Sequence, residues 1–316
     1  MRNSLSASKG ESSQSDARVL VLAGPTASGK TELAIELALE FDAEIVGADS
    51  RQIYRDMTVG TAAPTPSQRG RVPHHLIAFL DPYERYSAAR FCADARRVLE
   101  EIRARGKRAI VTGGTGFYIR ALTGGVTLAP ELDPGLRGRL AKEAQIHDAE
   151  FLHRWLSVRH AARADKIHPD DRYRVLRGLE VALAGDGERE CARPRPSIGA
   201  QEIAYVKVYV EIEDELLQQR IESRADAMLA SGFLEEAERV GSEAVAASAV
   251  GYPQALAFLR GWSTSRELRG AIVRATRRYA KRQATWFRTE PQTTWLARRD
   301  VPARIRSLAR EKLGWA

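Results

Sequence analysis

Residues 24–31 have the residue types and spacing of a phosphate-binding loop, because they match the pattern G-x-x-x-x-G-K-[ST]. The glycines allow backbone N–H groups to converge on an anion, and a following helix adds the positive end of its dipole. Lys30 supplies a point charge, and the Thr31 hydroxyl can bind Mg²⁺. ATP and an alkyl pyrophosphate present the same oxygens, so the loop alone does not select its ligand. The residues assigned to phosphate binding are Gly24, Pro25, Thr26, Ala27, Ser28, Gly29, Lys30 and Thr31.

Two further polar segments follow apolar runs that are typical of strands. Asp49 begins the segment Asp-Ser-Arg-Gln-Ile-Tyr, where an aspartate could act beside a bound metal or could cap a helix. Residues 113–116 read Gly-Gly-Thr-Gly, which favours either a ligand site or a tight turn from strand to helix. The sequence leaves both pairs of alternatives open.

Basic residues recur at helical spacing between residues 274 and 288, with aromatic residues between them. They are Arg274, Arg277, Arg278, Lys281, Arg282 and Arg288, interleaved with Tyr279, Trp286 and Phe287. Arg172, Arg174 and Arg177 repeat the basic pattern in an earlier segment. Such stripes can neutralise phosphates while aromatic rings stack on unpaired bases. A solvated basic helix face is the alternative interpretation.

Secondary-structure elements must bring these segments together, and the apolar pattern supplies a β-α-β alternation. It predicts strands at residues 19–23, 44–48, 107–111 and 204–210, and helices at residues 87–105, 214–240 and 265–288. Alternating strands and helices predict a parallel sheet whose ligands lie outside the carboxyl ends of the strands. The expected fold class is α/β, with a P-loop NTPase-like parallel sheet, helices on both faces and an inserted helical subdomain.

Composition favours an enzyme-sized globular protein with a polyanionic partner. The 316 residues include 49 Lys+Arg and 41 Asp+Glu, and the pI is near 9.6. Cys92 and Cys191 form no C-x-x-C pair, so neither a disulfide framework nor a cysteine-rich zinc site is indicated. No run approaches the ~18 apolar residues of a membrane span. We therefore expect a location in the reducing cytoplasm and no membrane partner.

The expected domain organisation has four parts. Residues 1–16 are rich in serine and predict a disordered tail, and residues 17–129 form the first part of the P-loop core. Residues 130–200 read as a helical, arginine-rich insert without a strand signal. Residues 201–316 complete the core and carry the basic helices.

Six motifs in this order resemble the bacterial tRNA dimethylallyltransferase family, and the resemblance covers roughly residues 17–297. Besides the loop at 24–31, the motifs are Asp-Ser-Arg-Gln-Ile-Tyr at 49–54, Gly-Thr-Ala-Ala-Pro at 60–64, Gly-Gly-Thr-Gly-Phe-Tyr at 113–118, Ile-His-Pro-Asp-Asp at 167–171 and Ala-Lys-Arg-Gln-Ala-Thr-Trp-Phe-Arg at 280–288. The sequence departs from the family pattern at Ala63, Gly178 and Pro253.

The resemblance implies transfer of a dimethylallyl group from dimethylallyl pyrophosphate to N6 of the adenine just 3′ of the tRNA anticodon. It implies that the loop holds pyrophosphate with Mg²⁺, and that Arg220 or Arg224 lies near the pyrophosphate. The implied catalytic residues are Asp49, at the adenine amine, with Thr115 and Lys30. The implied tRNA contacts are Asp49, Ser50, Arg51, Gln52, Thr115, Arg137, Tyr173, Arg174, Arg177, Lys281, Arg282, Gln283, Trp286 and Arg288.

Two other functions stay open at this point. A P-loop small-molecule kinase would turn over ATP and would need no long basic and aromatic helix. A non-catalytic RNA-binding protein with a P-loop would tolerate the loss of Asp49. For the transferase we expect a monomer whose partners are the tRNA anticodon arm and dimethylallyl pyrophosphate.

Overall fold

The computed structural model describes residues 18–126, 128, 134–184 and 203–315. Within these residues six parallel strands form one sheet in the order β3-β2-β4-β1-β5-β6. The strands are β1 (Arg18–Ala23), β2 (Ala43–Gly47), β3 (His74–His75), β4 (Arg108–Gly113), β5 (Ala204–Glu211) and β6 (Thr293–Ala297). The predicted tail at residues 1–16 and the end of the predicted insert at residues 185–200 lie outside the described residues.

The central strands are buried along nearly their whole length, as expected for a parallel sheet covered by other elements. β1 pairs with β4 on one side, placing Ala23 beside Gly113, and with β5 on the other. This pairing confirms the predicted α/β parallel sheet. The two edge strands were not predicted, because β3 has only two residues and β6 is a half-buried run rich in threonine.

The helices follow the predicted alternation. They are α1 (Lys30–Glu40), α2 (Thr58–Thr61), α3 (Pro66–Arg71), α4 (Ala88–Ala104), α5 (Gly116–Leu122), α6 (Pro134–Ile146), α7 (Ala149–Arg159), α8 (Ala161–Ala164), α9 (Arg172–Leu183), α10 (Asp214–Ala230), α11 (Phe233–Val240), α12 (Tyr252–Leu259), α13 (Ser265–Arg288) and α14 (Val301–Leu313). The helical pattern over residues 214–240 resolves into α10 and α11 because Gly232, with a φ of +85°, separates them.

One large core cluster joins the sheet to α1 and α14. Leu33 and Leu37 of α1 and Ile305 and Leu308 of α14 pack with strand residues such as Leu20. These side chains recur at helical spacing, so each helix presents one apolar stripe to the core. The packing fixes the start of α1, and with it the phosphate-binding loop, at the end of β1.

Contacts divide the chain into two compact units. Among the described residues, the first contains residues 18–85, 94–119 and 203–315, and the second contains residues 86–93, 120–126, 128 and 134–184. The second unit has its own core, in which Leu140, Leu152, Leu156 and Leu179 come from α6, α7 and α9. Within the described part of the chain, the helices are either too short or too polar to span a lipid bilayer.

Candidate active site

A cavity of about 470 Å³ opens at the carboxyl ends of β1, β2 and β4, entirely within the first unit. The position agrees with the general rule for parallel sheets. Of the residues assigned from the sequence, those lining it are Thr26, Ala27, Gly29, Lys30, Thr31, Asp49, Ser50, Arg51, Gln52, Arg220, Arg224, Arg282 and Gln283. The assigned residues of this unit that lie outside the lining are Gly24, Pro25, Ser28, Thr115, Lys281, Trp286 and Arg288.

The phosphate-binding loop runs from the end of β1 to the start of α1 and is closed by a short turn. The Ser28 N–H donates a hydrogen bond to the Pro25 carbonyl at 3.3 Å. Gly29 has a φ of +82°, a left-handed conformation that favours glycine. At Gly24 an added Cβ would lie 3.1 Å from the Val210 carbonyl oxygen, so β5 approaches the loop closely there. Backbone geometry therefore explains why glycine occupies both positions of the motif.

Lys30 folds back onto the loop. Its Nζ donates hydrogen bonds to the Pro25 carbonyl at 2.6 Å and to the Ser28 hydroxyl at 3.4 Å. Burial lowers the pKa of Lys30 to about 7, and nearby Asp49 opposes this shift. The ammonium is thus poorly solvated and lacks an ion-pair partner among the described residues. An anion bound in the cavity would stabilise its charged form.

Asp49 uses its two carboxylate oxygens differently. Oδ1 accepts hydrogen bonds from the backbone N–H groups of Arg51 at 2.9 Å and Gln52 at 3.4 Å. In the described part of the chain Oδ2 accepts no hydrogen bond, although the residue lines the cavity. Residues 50–53 form a turn and no helix begins at Asp49, so the helix-cap interpretation is wrong. Oδ1 stabilises this turn, and Oδ2 is available for chemistry.

Arg220 and Arg224 lie one turn apart on α10, and both contact the phosphate-binding loop. Arg224 donates to the Thr26 hydroxyl at 2.7 Å and to the Thr61 carbonyl at 3.1 Å, while Arg220 donates to the Ser28 carbonyl at 3.2 Å. Burial lowers the pKa of Arg224, with Asp49 opposing the shift, but a guanidinium stays charged. The structure therefore places both arginines at the loop.

Thr115 stabilises the segment that follows Asp49 through hydrogen bonds. Its hydroxyl accepts a hydrogen bond from the Ser50 N–H at 2.9 Å, and it also bonds the side chain of Tyr279. Burial raises the pKa of Tyr279, so this phenol stays protonated at the cavity wall. Thr115 thus holds the segment in place through Ser50.

The Gly-Gly-Thr-Gly motif interlocks with α13. A Cβ added to Gly114 would overlap the Gln283 amide, and one added to Gly116 would overlap the Trp286 ring. Gln283 is 5% exposed and bridges two segments, since it accepts from the Thr26 N–H at 2.9 Å and donates to the Gly114 carbonyl at 3.0 Å. Both ends of its amide thus contact the protein's own backbone. In contrast, Lys281, Arg282 and Arg288 of the same helix are exposed.

A buried carboxylate, Glu236, fixes the Gly-Thr-Ala-Ala-Pro segment and was not found from the sequence. It accepts hydrogen bonds from the Gly60 N–H and the Tyr252 hydroxyl, each at 2.7 Å. The Thr61 carbonyl of this segment accepts a hydrogen bond from Gln52 Nε2. Glu236 lies in an ordinary amphipathic helix 176 positions from Gly60, so no local signal marks it.

The assigned arginines of the second unit are mostly engaged with carboxylates. Arg137 and Arg177 both hydrogen-bond Glu180, which is 4% exposed. Burial alone would raise the pKa of Glu180, but these two partners lower it below its usual range. Arg174 lies 3.4 Å from an Asp171 oxygen, whereas Tyr173 is 80% exposed.

The cavity wall offers an oxygen donor for a metal. Among the described residues no group of three or more His, Cys, Asp or Glu side chains could hold an ion by itself. Mg²⁺ needs no such cage, because it usually keeps several waters and binds substrate phosphates plus one or two protein oxygens. The Thr31 hydroxyl, at the wall, fits that requirement.

Comparison with known proteins gives consistent matches over the whole fold. The tRNA dimethylallyltransferase of Geobacter sulfurreducens is 38% identical, covering 95% of this chain and 97% of the relative. That of Stenotrophomonas maltophilia is 44% identical over 89% of this chain and 93% of the relative. The structure of a tRNA isopentenylpyrophosphate transferase from Bacillus halodurans has a TM-score of 0.69 and 31% identity, covering 95% and 97% of the two chains. A eukaryotic dimethylallyltransferase described as acting on tRNA has a TM-score of 0.74 and 26% identity, covering 92% of this chain and 78% of the other.

Family models agree with these relatives. The model described as isopentenyl transferase matches residues 17–72, and the model described as IPP transferase matches residues 52–290. Both descriptions name transferases of an isopentenyl group, so the chain is a prenyltransferase and the kinase alternative is not supported. The match to the IPP transferase model spans more than half of the sequence, and the two matches together include the site built above, so this chain belongs to the IPP transferase family.

Proposed function

We propose that this enzyme transfers a dimethylallyl group from dimethylallyl pyrophosphate to N6 of the adenine just 3′ of the anticodon in tRNA. In this reaction a bond forms between N6 and C1 of the isoprenyl group, the bond from C1 to the pyrophosphate oxygen breaks, and N6 loses a proton. One observation supports it most strongly: a phosphate-binding loop, two arginines and an aspartate with an uncommitted oxygen line a single cavity.

Asp49 is proposed as the general base. The exocyclic amine of adenine is a weak nucleophile because its lone pair is delocalised into the ring, so its proton must be removed as the new bond forms. Oδ2 can accept that proton while Oδ1 keeps its hydrogen bonds to Arg51 and Gln52. These hydrogen bonds thus fix the orientation of the base before the substrate arrives.

The loop and its cations are proposed to stabilise the leaving pyrophosphate. Lys30 would exchange its carbonyl and hydroxyl partners for a phosphate oxygen, and Arg224 lies beside Thr26 of the loop. Preorganised positive charge directed at developing negative charge is usually the largest catalytic contribution. Mg²⁺, held by Thr31 and the phosphates, would supply further charge stabilisation on the pyrophosphate.

The RNA side of the proposal rests on exposed cations and on the cost of exposing a base. Adenine must leave its stack to enter the cavity, which costs a few kcal/mol and is least costly in a single-stranded loop. Lys281, Arg282 and Arg288 present positive charge on α13, whose Tyr279 and Arg282 reach the cavity wall. In this proposal Gln283, which lines the cavity, positions the loop through Thr26 and remains a proposed tRNA contact.

A single incubation tests the function. Purified protein is mixed with unmodified tRNA and either labelled dimethylallyl pyrophosphate or labelled ATP, and the tRNA is digested to nucleosides for mass spectrometry. We expect a dimethylallyl mass gain on adenosine without ATP. Phosphate transfer from ATP with no such gain would establish a kinase, and tRNA binding without either transfer would establish a binding protein.

Salt dependence tests the proposed tRNA contacts. Replacing Lys281, Arg282 or Arg288 singly with alanine is expected to lower the slope of log affinity against log salt by about 0.7 to 0.9, because each phosphate contact releases condensed counterions. Arg174→Ala is expected to do the same. Arg304→Ala, an exposed arginine on α14, is the control. Slopes unchanged in all four variants would assign these residues to solvated surface.

Arg177→Ala should behave differently, because its guanidinium also pairs with Glu180. Among the described residues, its loss leaves Arg137 as the remaining hydrogen-bond partner of a carboxylate that is 4% exposed. We therefore expect a lower melting temperature in addition to any change in salt slope.

Two further properties follow from the proposed substrate. A tRNA-modifying enzyme encounters its substrate in the cytoplasm, and the proposed reaction uses the loop, the arginines and the aspartate of a single cavity, so we propose a cytoplasmic monomer.

A further inference from the structure

Two arginines bind consecutive carbonyl groups of the phosphate-binding loop. Arg220 donates to the Ser28 carbonyl at 3.2 Å, and Arg298, in the connection between β6 and α14, donates to the Gly29 carbonyl at 3.4 Å. Arg298 is 269 positions from Gly29 and belongs to none of the sequence motifs. Tertiary structure alone brings it to the loop.

Holding these carbonyls determines where the neighbouring N–H groups point. In a trans peptide the C=O and N–H bonds are antiparallel, and the chain has no cis peptide bond among its described residues. The Ser28 carbonyl shares its peptide group with the Gly29 N–H, and the Gly29 carbonyl shares its peptide group with the Lys30 N–H. Arg220 therefore helps to orient the Gly29 N–H, and Arg298 helps to orient the Lys30 N–H together with the Leu33 N–H, which also donates to the Gly29 carbonyl, at 3.3 Å. These are N–H groups that a phosphate-binding loop directs at its anion.

Close packing reinforces this arrangement. A Cβ added to Gly29 would lie 3.0 Å from Arg298 Cζ and 3.1 Å from one of its terminal nitrogens. The guanidinium is therefore stacked against the Gly29 backbone. The second glycine of the motif thus allows a left-handed turn and also makes room for Arg298.

The two guanidiniums also concentrate positive charge, which Glu36 offsets only in part near Arg298. In the described residues no carboxylate lies within ion-pair distance of Arg220 or Arg298. Burial lowers the pKa of Arg298, and the proximity of Arg220 lowers it further. Two like charges held together beside a phosphate-binding loop are stabilised when an anion binds.

The geometry points to Arg298 as a positioning residue for the pyrophosphate, which acts with Arg220 by orienting the peptide groups of the loop and by raising its positive potential. This inference rests on the proposed function, because it assigns a role at the same site.

The test compares Arg298→Gln with the control variant Arg299→Gln. The control removes the same charge from the adjacent residue, whose side chain is 84% exposed and whose Nε lies 3.8 Å from an Asp300 carboxylate oxygen. We would measure the affinity for inorganic pyrophosphate by calorimetry, the KM for dimethylallyl pyrophosphate, the KM for tRNA, and the melting temperature. Arg298→Gln is expected to weaken pyrophosphate binding and raise the donor KM by about tenfold, as for a lost hydrogen bond to a charged group. The tRNA KM and melting temperature should stay at wild-type values.

Arg298→Lys keeps the charge but not the planar fork, so it should recover part of the loss, and it provides the same test if Arg298→Gln does not fold. Wild-type pyrophosphate affinity in both variants would overturn the inference, as would an equal loss of tRNA affinity and thermal stability. Pyrophosphate binding by the wild-type protein does not require transfer, so a failure of the proposed reaction is distinguishable from a failure of this inference.

Discussion

Asp49→Asn is expected to lower the single-turnover rate of dimethylallyl transfer by about 10² to 10⁴-fold, the usual contribution of a positioned general base. Asparagine retains an oxygen that can accept the Arg51 and Gln52 N–H groups, so the local backbone should be preserved. It cannot readily take the N6 proton. Rapid-quench measurements with saturating tRNA and donor would give the rate directly.

Affinity measurements separate this role from the alternatives. The dissociation constants for tRNA and pyrophosphate should change little in Asp49→Asn, and an altered Mg²⁺ requirement would instead indicate a metal-side role. Asp56→Asn is a matched control, because Asp56 is exposed and its φ of +58° suits asparagine. Near wild-type transfer by Asp49→Asn would remove this residue from the chemistry and leave it with stabilising the turn alone.

Lys30→Gln is expected to lower kcat/KM for dimethylallyl pyrophosphate by about 10² to 10³-fold at pH 6.5, because one preorganised charge on the leaving group is lost. The wild-type enzyme should also show a pH dependence. Burial lowers the pKa of Lys30 to about 7, so the cation is present below that pH and is lost as the pH rises through it. Wild-type kcat/KM should therefore fall by about tenfold per pH unit above 7, since kcat/KM reports the free enzyme.

The pH profile of the variant provides the sharper comparison. Lys30→Gln should lack the descending limb, whereas Lys312→Gln, an exposed lysine in the last turn of α14, should keep it. The last ionisation of a phosphate group has a pKa of about 6, so it is largely complete above a pH of about 7 and contributes little to the slope there. A descending limb that survives in Lys30→Gln would assign the titration to another group.

Local sequence patterns were sufficient for the framework of the site. A buried β-branched run followed by glycines and an apolar helical stripe places the phosphate-binding loop between β1 and α1. The basic and aromatic spacing predicts a helix over residues 265–288, and α13 spans Ser265–Arg288. These signals are local because hydrogen bonding within a helix and burial along a strand depend on near neighbours.

Edge elements show where local patterns fail. β3 contains two histidines, and β6 is only half-buried, so neither displays the continuous apolar run of a central strand. Their pairing with β2 and β5 follows from the sheet that already exists beside them. Composition and periodicity within the two edge segments therefore do not predict this pairing.

The sequence alone determined which residue types are available for the proposed chemistry: a phosphate-binding loop, an aspartate after a strand and a set of basic residues at helical spacing. Tertiary structure decided how they are held, because the supporting contacts join positions far apart in the chain. Gln283 contacts groups 169 and 257 positions away, and Arg298 reaches Gly29 across 269 positions. Each such contact depends on the packing of whole helices against the sheet. The hydrophobic periodicity of the residues between the two partners does not predict it.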